Sequence, residues 1–243
     1  MKTEKHSGSI ILYFFLAALL ILSAFLLKQI FDRYINKESK RIMSSGFEIR
    51  QIIIDAGHGG TDGGAISVTG MPEKELNLQT SQTLEAMMTA LGFQVIMTRN
   101  SDTELTCPES GGSRKMQDLK GRLKIAEANP EIPFVSIHMN KFPQSKYSGL
   151  QVYYSPNNTE SKVLADAIQE SVKSMLQPEN NRETKPATSS IYLLYKIKSP
   201  AVLIECGFIS NQQEAELLEN KEYRQSLCLA ISSALACEQT ADK

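Results

Sequence analysis

The sequence has no tryptophan, only three histidines and four cysteines. Without tryptophan, we do not expect a dedicated aromatic platform for stacking sugars. No cysteines form a C-x-x-C pair, so a zinc knuckle is not expected, and Cys206, Cys228 and Cys237 are predicted to be buried apolar side chains. The nucleotide-binding patterns G-x-G-x-x-G and G-x-x-x-x-G-K-[ST] do not occur at the glycine-rich loop described below. A formal net charge of −1 gives no basis for a nucleic-acid partner.

A long apolar run lies near the N-terminus. Residues 10–27 contain no charged side chain, which is short for a membrane-spanning helix and long for the core of a signal peptide. No small-x-small cleavage site follows the run. We therefore predict an uncleaved signal anchor over residues 1–28, with a cleaved signal peptide as the alternative. Residues 29–47 are predicted to be a charged connector, and residues 48–243 the folded domain.

The most distinctive stretch of the domain is residues 52–64, with the sequence IIIDAGHGGTDGG. Three successive isoleucines predict a buried strand, and the glycines end that strand abruptly. Glycine lets the backbone turn sharply and approach a ligand closely. His58 stands in the middle of this loop, so we predict that it takes part in chemistry, with an ordinary loop residue as the alternative.

Strands alternate with helices along the rest of the domain. Further strands are predicted at residues 93–98, 134–138, 150–154, 191–194 and 201–204. Helices are predicted at residues 72–91, 116–126, 163–175, 212–218 and 222–237, the third with Val163, Ala167, Ile168, Val172 and Met175 facing inward. This alternation predicts an α/β fold with a mainly parallel, Rossmann-like sheet covered by helices on both faces, preceded by the N-terminal transmembrane or signal helix.

Reactive side chains are concentrated at strand ends, where functional groups gather in such a sheet. His58 follows the first strand, His138 ends the third, and Glu205 directly continues the buried strand of residues 201–204. An ionised carboxylate at that place is costly unless a metal, a cation or several donors offset the loss of water. We predict a functional role for Glu205, with a salt bridge as the alternative, and expect Gly207 to open space for a substrate.

A metal site in the domain cannot consist of three histidines, because the third histidine of the chain precedes the apolar run. It would combine His58 and His138 with a carboxylate and leave one position open for water, as in many hydrolytic zinc enzymes. The alternative for His138 is a hydrogen-bonded core histidine. Four acids are candidates for the third ligand, and the residues alone do not choose among them: Glu73, Glu75, Asp55 and Asp62.

Four stretches, in order along the domain, resemble the zinc-dependent N-acetylmuramoyl-L-alanine amidases of the amidase type 3 family. They are IDAGHGG at residues 54–60, EKELNL at 73–78, SIHMN at 136–140 and VLIECGFISN at 202–211. The resemblance implies that His58, Glu73 and His138 hold Zn²⁺. It also implies that Glu205 is the catalytic acid and base, and that residues 48–243 are the catalytic domain. Ala56 departs from the proline common in the family, which should leave the ligands unaffected.

The implied reaction is hydrolysis of the amide between muramic acid and L-alanine in peptidoglycan. Asn140, Arg99 and Arg122 are candidates for contacts with the substrate or for support of the ligands, with structural salt bridges as the alternative for the two arginines. Two rival functions remain open: a different zinc hydrolase of the cell wall, such as a peptidase or a deacetylase, and a non-catalytic wall-binding module.

Within the family, the chain resembles the short, membrane-targeted amidases of endospore formers that help to produce muramic-δ-lactam in the spore cortex for germination. The resemblance lies in residues 98–102 (TRNSD), in residues 112–114 (GSR) and in the lack of a wall-binding repeat. It implies an extracytoplasmic location, membrane-anchored or secreted, where cortex is built. An accessory sporulation protein is an expected partner, alongside the membrane through the N-terminal segment.

Overall fold

The computed structural model describes residues 28–29, 50–108 and 111–238. The predicted signal anchor or signal peptide and the connector lie outside the described residues, apart from the pair at 28–29. Among the helices in the described ranges, none combines the length and apolar character that crossing a membrane requires.

The described domain is built on a six-stranded sheet. Its strands are β1 (Gln51–Ala56), β2 (Gln94–Met97), β3 (Phe134–Asn140), β4 (Gln151–Tyr154), β5 (Lys185–Pro186) and β6 (Ala201–Phe208). Their order across the sheet is β2-β1-β3-β6-β4-β5. Every pairing is parallel except that of β4 with β6. The predicted α/β fold with a mainly parallel sheet is confirmed.

Helices cover both faces of this sheet. They are α1 (Glu73–Ala90), α2 (Arg114–Glu127), α3 (Glu160–Met175), α4 (Tyr192–Lys196), α5 (Gln212–Glu219) and α6 (Lys221–Glu238). Side chains alternate along a strand, so Ile52 and Ile54 of β1 pack in the cluster with α1, α3 and α6. Ile53 packs in the opposite cluster, together with α2 and α4. The face that carries Ile53, called the second face below, is covered by fewer helices than the first. His138 and Glu205 lie on it.

The beginning of α1 places an acid beside the β1 loop. Pro72 precedes the helix in an extended conformation, and Glu73 and Glu75 lie in the first turn. Proline and acids are favoured there because the first helical N–H groups lack partners and carry partial positive charge. Glu73 is buried and Glu75 is exposed, so only one of the two points into the protein.

Several local predictions are wrong. Residues 191–194 were predicted as a strand, but α4 occupies Tyr192–Lys196, and Leu193 and Leu194 pack on the second face of the sheet. The β5 strand lies instead at Lys185–Pro186, where the sequence predicts no strand. On α3, the side chains of Val163 and Met175 are exposed. Cys237 is also exposed, whereas Cys206 and Cys228 are buried as predicted.

Candidate metal centre and active site

The β1 loop holds His58 in a conformation that few side chains adopt. Its φ is 61°, in the left-handed region, and Gly59 and Gly60 that follow also have positive φ. Reciprocal backbone hydrogen bonds between Gly59 and Asp62 close a tight turn. This turn brings Asp62 Oδ2 to 3.0 Å from His58 Nδ1, so that Nε2 on the other side of the ring faces Glu73.

The second histidine, His138, lies on β3 directly beneath this loop. The loop approaches so closely that a Cβ on Gly57 would lie 2.2 Å from His138 Nε2. The two imidazole rings are 5.0 Å apart between centroids and 75° between planes. Only a glycine at position 57 therefore allows both histidines to share this space.

Glu73 joins the two histidines. Its Oε1 lies 3.2 Å from His58 Nε2 and 3.1 Å from His138 Nδ1. The Ala65 and Met139 amides donate to the same carboxylate. Burial alone would raise the pKa of Glu73, but the hydrogen bonds from the histidines hold it well below its usual value. One ligand atom from each of these three residues lies within 4.8 Å of the others, and the group can hold a metal ion.

The other candidates for a third ligand have different partners. Asp55 is fully buried and paired with Arg122. Asp62 contacts the opposite nitrogen of His58, and Glu75 is exposed on α1. Of the four acids that the sequence left open, only Glu73 reaches both histidines.

Glu205 faces the same point from β6. It pairs in register with His138, so the two side chains emerge on one face of the sheet. Burial raises the pKa of the Glu205 carboxyl to about 7, and the charged groups that act on it are His138, Glu73 and His58. Its Oε2 is buried and has no hydrogen-bond partner among the described residues. The alternative of a salt bridge to lysine or arginine is not supported.

Gly207 does not open space for a substrate as predicted. A Cβ at this position would lie 3.2 Å from Leu218 Cδ1 and 3.4 Å from the Glu214 carboxylate. The lack of a side chain therefore lets α5 pack closely against β6. Access to Glu205 comes instead from a cavity of about 240 Å³ on the second face, which His58, His138, Lys115 and Tyr192 also line.

The two arginines named from the sequence as candidates for substrate contact or support of the ligands lie beneath the β1 loop. Arg99 is buried, and its guanidinium donates to the carbonyls of Ala56, Gly57, Ser101 and Lys74. Its donors are thus used by the backbone, and this placement favours support of the loop over contact with substrate.

Arg122 supports the same loop from α2. It pairs with Asp55 and with Asp118, where the Nε–Oδ2 distance is 2.8 Å. It also donates to the carbonyls of Ala56 and His58. Its ion pair with Asp55 counters the effect of burial and keeps the pKa of that carboxyl below its usual value. Like Arg99, it is placed to hold the loop rather than to reach a substrate.

Three residues that support the site were not given this role from the sequence. Asp62 orients the His58 ring, as hydrogen-bond partners of metal-ligating histidines commonly do. Asn77 donates to the Gly57 carbonyl and lies 3.4 Å from Glu73 Oε1. Thr98 donates to Asp55. Asp62 lies in the loop, Asn77 on α1 and Thr98 just after β2, and this spacing carries no signal until the fold brings them together.

The fold and the site together define a class of protein. It is an α/β domain with two histidines and a glutamate converging at the carboxyl ends of parallel strands, opposite a buried glutamic acid. Two histidines and one carboxylate with an open position are the ligand set of many zinc hydrolases.

Residues 52–237 match the sequence model of the Amidase_3 family, N-acetylmuramoyl-L-alanine amidase, and the chain belongs to this family. The predicted enzyme class is thereby confirmed. The chain is 34% identical over 213 residues to the germination-specific N-acetylmuramoyl-L-alanine amidase of Bacillus subtilis, covering 87% of each sequence.

Solved structures agree with this assignment. One is the CwlD amidase from Clostridioides difficile in complex with the GerS lipoprotein, with a TM-score of 0.74 and 38% identity over 79% of this chain and all of that one. Another is an N-acetylmuramoyl-L-alanine amidase from Clostridium difficile 630, with a TM-score of 0.69 and 27% identity over 80% of this chain and 98% of that one.

Proposed function

We propose that this chain is a zinc-dependent amidase that cleaves the bond between N-acetylmuramic acid and L-alanine during formation of muramic-δ-lactam in the spore cortex. The observation that carries the proposal is the convergence of His58, Glu73 and His138 opposite the buried acid Glu205. The germination-specific relative and the CwlD structure support the cortex role.

The donor set fits zinc. Imidazole nitrogen and carboxylate oxygen bind Zn²⁺ at about 2.0–2.2 Å, so two ligands of one tetrahedral ion lie about 3.4 Å apart. The 3.2 Å and 3.1 Å separations of Glu73 Oε1 from His58 Nε2 and His138 Nδ1 are close to this value. The lowered pKa of Glu73 keeps that carboxylate charged, as a ligand must be.

A zinc ion held by these residues supplies Lewis acidity toward water and toward the carbonyl of the scissile amide. Glu205 performs the proton transfers. Its carboxylate accepts the proton of the attacking water and returns it to the amine nitrogen of L-alanine as the C–N bond breaks. A carboxyl with a pKa near 7 suits both steps at neutral pH, because neither protonation state is strongly favoured.

The proposal extends to location and partner. The predicted N-terminal anchor or signal segment would place the domain outside the cytoplasm, where its peptidoglycan substrate lies. The structurally similar CwlD amidase forms a complex with the GerS lipoprotein. We therefore propose that this chain also binds an accessory sporulation protein.

The test uses the full chain, zinc and purified peptidoglycan, and follows the release of new L-alanine amino termini. Glu205→Gln is expected to bind zinc and to lose roughly 10²- to 10⁴-fold in kcat, the range for a missing general acid and base. Glu75→Gln, an exposed glutamate two residues after the third ligand, is the matched control and should keep full activity.

The cortex role has a separate readout. Spores whose only copy carries Glu205→Gln are expected to lack muramic-δ-lactam in their cortex muropeptides. Full activity of the Glu205→Gln variant would remove this residue from the mechanism. Normal lactam content in those spores would leave the amidase assignment intact and overturn the role in the cortex.

A further inference from the structure

A second cavity, of about 250 Å³, opens on the same face of the sheet as Glu205, on the side toward β4 and β5. Gln151 of β4 lines it and pairs in register with Glu205, while Asn140 lines it two residues beyond His138. Neighbouring strands lie about 4.8 Å apart. The cavity therefore begins one strand away from the proposed acid and base.

The charge of this cavity is positive. Arg182 and Lys185 line it, and no carboxylate is among the lining residues that the structure describes. Arg182 stacks on Phe208, with its Cζ 4.5 Å from the ring centroid, and its Nε donates to the Ser148 carbonyl. Its two terminal nitrogens have no hydrogen-bond partner among the described residues. The guanidinium is thus held in place with its paired donors available for a ligand.

Glu214, an acid on which the Arg182 charge acts, is engaged by the backbone. Its two oxygens accept hydrogen bonds from the backbone amides of Gly149 and Phe208, each at 2.8 Å. Burial also raises the pKa of this carboxyl. The Arg182 charge acts on Glu214 and lowers its pKa against the effect of burial, but the two side chains form no ion pair among the described residues.

Tyr153 connects this cavity with the site. It lines the cavity and pairs with Leu203, two residues before Glu205 on β6. Burial and then the Glu205 carboxylate raise the pKa of the Tyr153 hydroxyl, whereas Arg182 lowers it. The tyrosine is thus within electrostatic reach of both groups. A ligand that spans from Glu205 to Arg182 would cross it.

Substrate chemistry identifies the ligand. The amino sugars of an N-acetylated glycan are uncharged, and the lactyl carboxyl is tied up in the scissile amide. The stem peptide, in contrast, carries free carboxylates close to L-alanine. A planar guanidinium with two free –NH₂ groups matches a carboxylate in a bidentate manner. A neutral glycan gives no reason for two cations at this place.

We propose that the cavity around Arg182 and Lys185 is the subsite for a free carboxylate of the stem peptide, on the side of the leaving amine. The inference rests on the proposed amidase function and adds its substrate preference. It predicts that the enzyme distinguishes stem peptides with free carboxylates from stems in which those groups are amidated.

The test compares matched N-acetylmuramoyl tripeptides whose stem carboxylates are free or converted to amides, with the full chain and zinc. Arg182→Gln is expected to lower kcat/KM for the free acid roughly tenfold to a hundredfold, the effect of losing a charge-assisted hydrogen bond. For the amidated substrate the loss should stay under about twofold. Arg182→Lys keeps the charge but loses the bidentate geometry, so its kcat/KM for the free acid should lie between those of wild type and Arg182→Gln.

Lys185→Gln is expected to lose only roughly two- to fivefold on the free acid, because this side chain is exposed. The matched control is Lys221→Gln, which replaces an exposed lysine at the start of α6. It should leave kcat/KM unchanged for both substrates. Circular dichroism and the thermal midpoint of each variant separate loss of binding from loss of folding. If Arg182→Gln unfolds, the comparison uses Arg182→Lys and Lys185→Gln.

Binding of the free stem tripeptide, measured by calorimetry without turnover, separates the two proposals. If wild type hydrolyses both substrates equally and Arg182→Gln loses the same factor on each, the subsite is overturned while the amidase function stands. If no substrate is hydrolysed but the tripeptide binds in a manner that requires Arg182, the proposed function falls and the subsite stands. If the tripeptide binds wild type and Arg182→Gln equally, the subsite is overturned.

Discussion

At the scale of single residues, the site depends on positions where a side chain has no room. Gly57 lies against His138, and Gly64 lies against Glu73 and His58. Gly64 also has a φ of 67°, which glycine adopts without steric penalty. The glycines of the β1 loop thus serve the packing of the three converging side chains as well as the turn itself.

Gly64→Ala should disturb the proposed metal site, because its Cβ would crowd the ligands and a side chain at this positive φ strains the backbone. Its Cβ would lie 2.6 Å from Glu73 Oε2 and 2.8 Å from His58 Cδ2, so the carboxylate must move. We expect zinc affinity to fall roughly 10- to 100-fold, as for other changes beside metal ligands. A competition titration against a chromogenic chelator measures it. Gly70→Ala is the control, since Gly70 also has a positive φ but its Cβ would meet nothing within 4 Å. Equal losses in the two variants would contradict the prediction.

The residues of the site were only partly predictable from the sequence. His58, His138 and Glu205 are polar groups at the ends of apolar runs, and that contrast is visible in the sequence itself. The third ligand followed only from the family resemblance, which implied Glu73, because four acids near the loop are chemically equivalent. Glu73 differs from Glu75 only in the direction of its side chain from α1, which depends on how the helix packs.

At the scale of elements, two buried arginines tie the β1 loop to its neighbours. Arg99 follows β2 and Arg122 lies on α2, and both donate to the Ala56 carbonyl. A strand that ends in a glycine-rich loop leaves carbonyls without strand partners, and buried carbonyls require donors. The arginines supply them and hold His58 over the sheet.

Arg122→Met should destabilise the fold strongly, because it leaves Asp55 buried without its cation. Breaking a buried ion pair costs about 3–5 kcal/mol, whereas an exposed pair contributes about 0–1 kcal/mol. Arg114→Met on the same helix removes an exposed arginine paired with Glu104 and is the matched control. Urea unfolding of both variants measures the difference. Similar midpoints for the two would contradict it.

The same network predicts a dependence on pH. The pKa of Asp55 is lower in the folded protein than the value of about 3.9 expected when it is unfolded. Its contribution to stability is therefore present above about pH 4 and is lost as the pH falls through the lowered folded pKa. Acid unfolding of Arg122→Met should begin at higher pH than that of wild type, which circular dichroism can follow.

Long periodic elements were predictable, and short or edge elements were not. Residues 191–194 form a four-residue apolar run that suits a buried strand as well as a helical turn. The two-residue strand β5 has no apolar pattern at all, and its pairing with β4 defines it. On α3 the buried face is offset by about one residue from the predicted one, because both neighbouring sets of positions contain apolar side chains.

At the scale of the whole domain, the proposed metal ligands come from three separate parts of the chain: the β1 loop, the start of α1 and the end of β3. The sheet brings them together from positions up to 80 residues apart, between His58 and His138. An ion bound by all three would link elements that otherwise meet through the sheet and the loop. Metal binding is therefore expected to be coupled to the stability of the fold.

Zinc should raise the thermal midpoint of the full chain. At a free concentration 100 times the Kd, a ligand that binds only the folded state stabilises it by about 2.7 kcal/mol. For a domain of this size, that corresponds to roughly 5–10 °C. Calorimetry with zinc and with a chelator measures the shift. His138→Ala should abolish it because a ligand is lost, whereas Glu205→Gln should keep it because Glu205 is not among the converging ligand atoms. A full shift in His138→Ala, or none in Glu205→Gln, would show that the ion binds through a different set of residues.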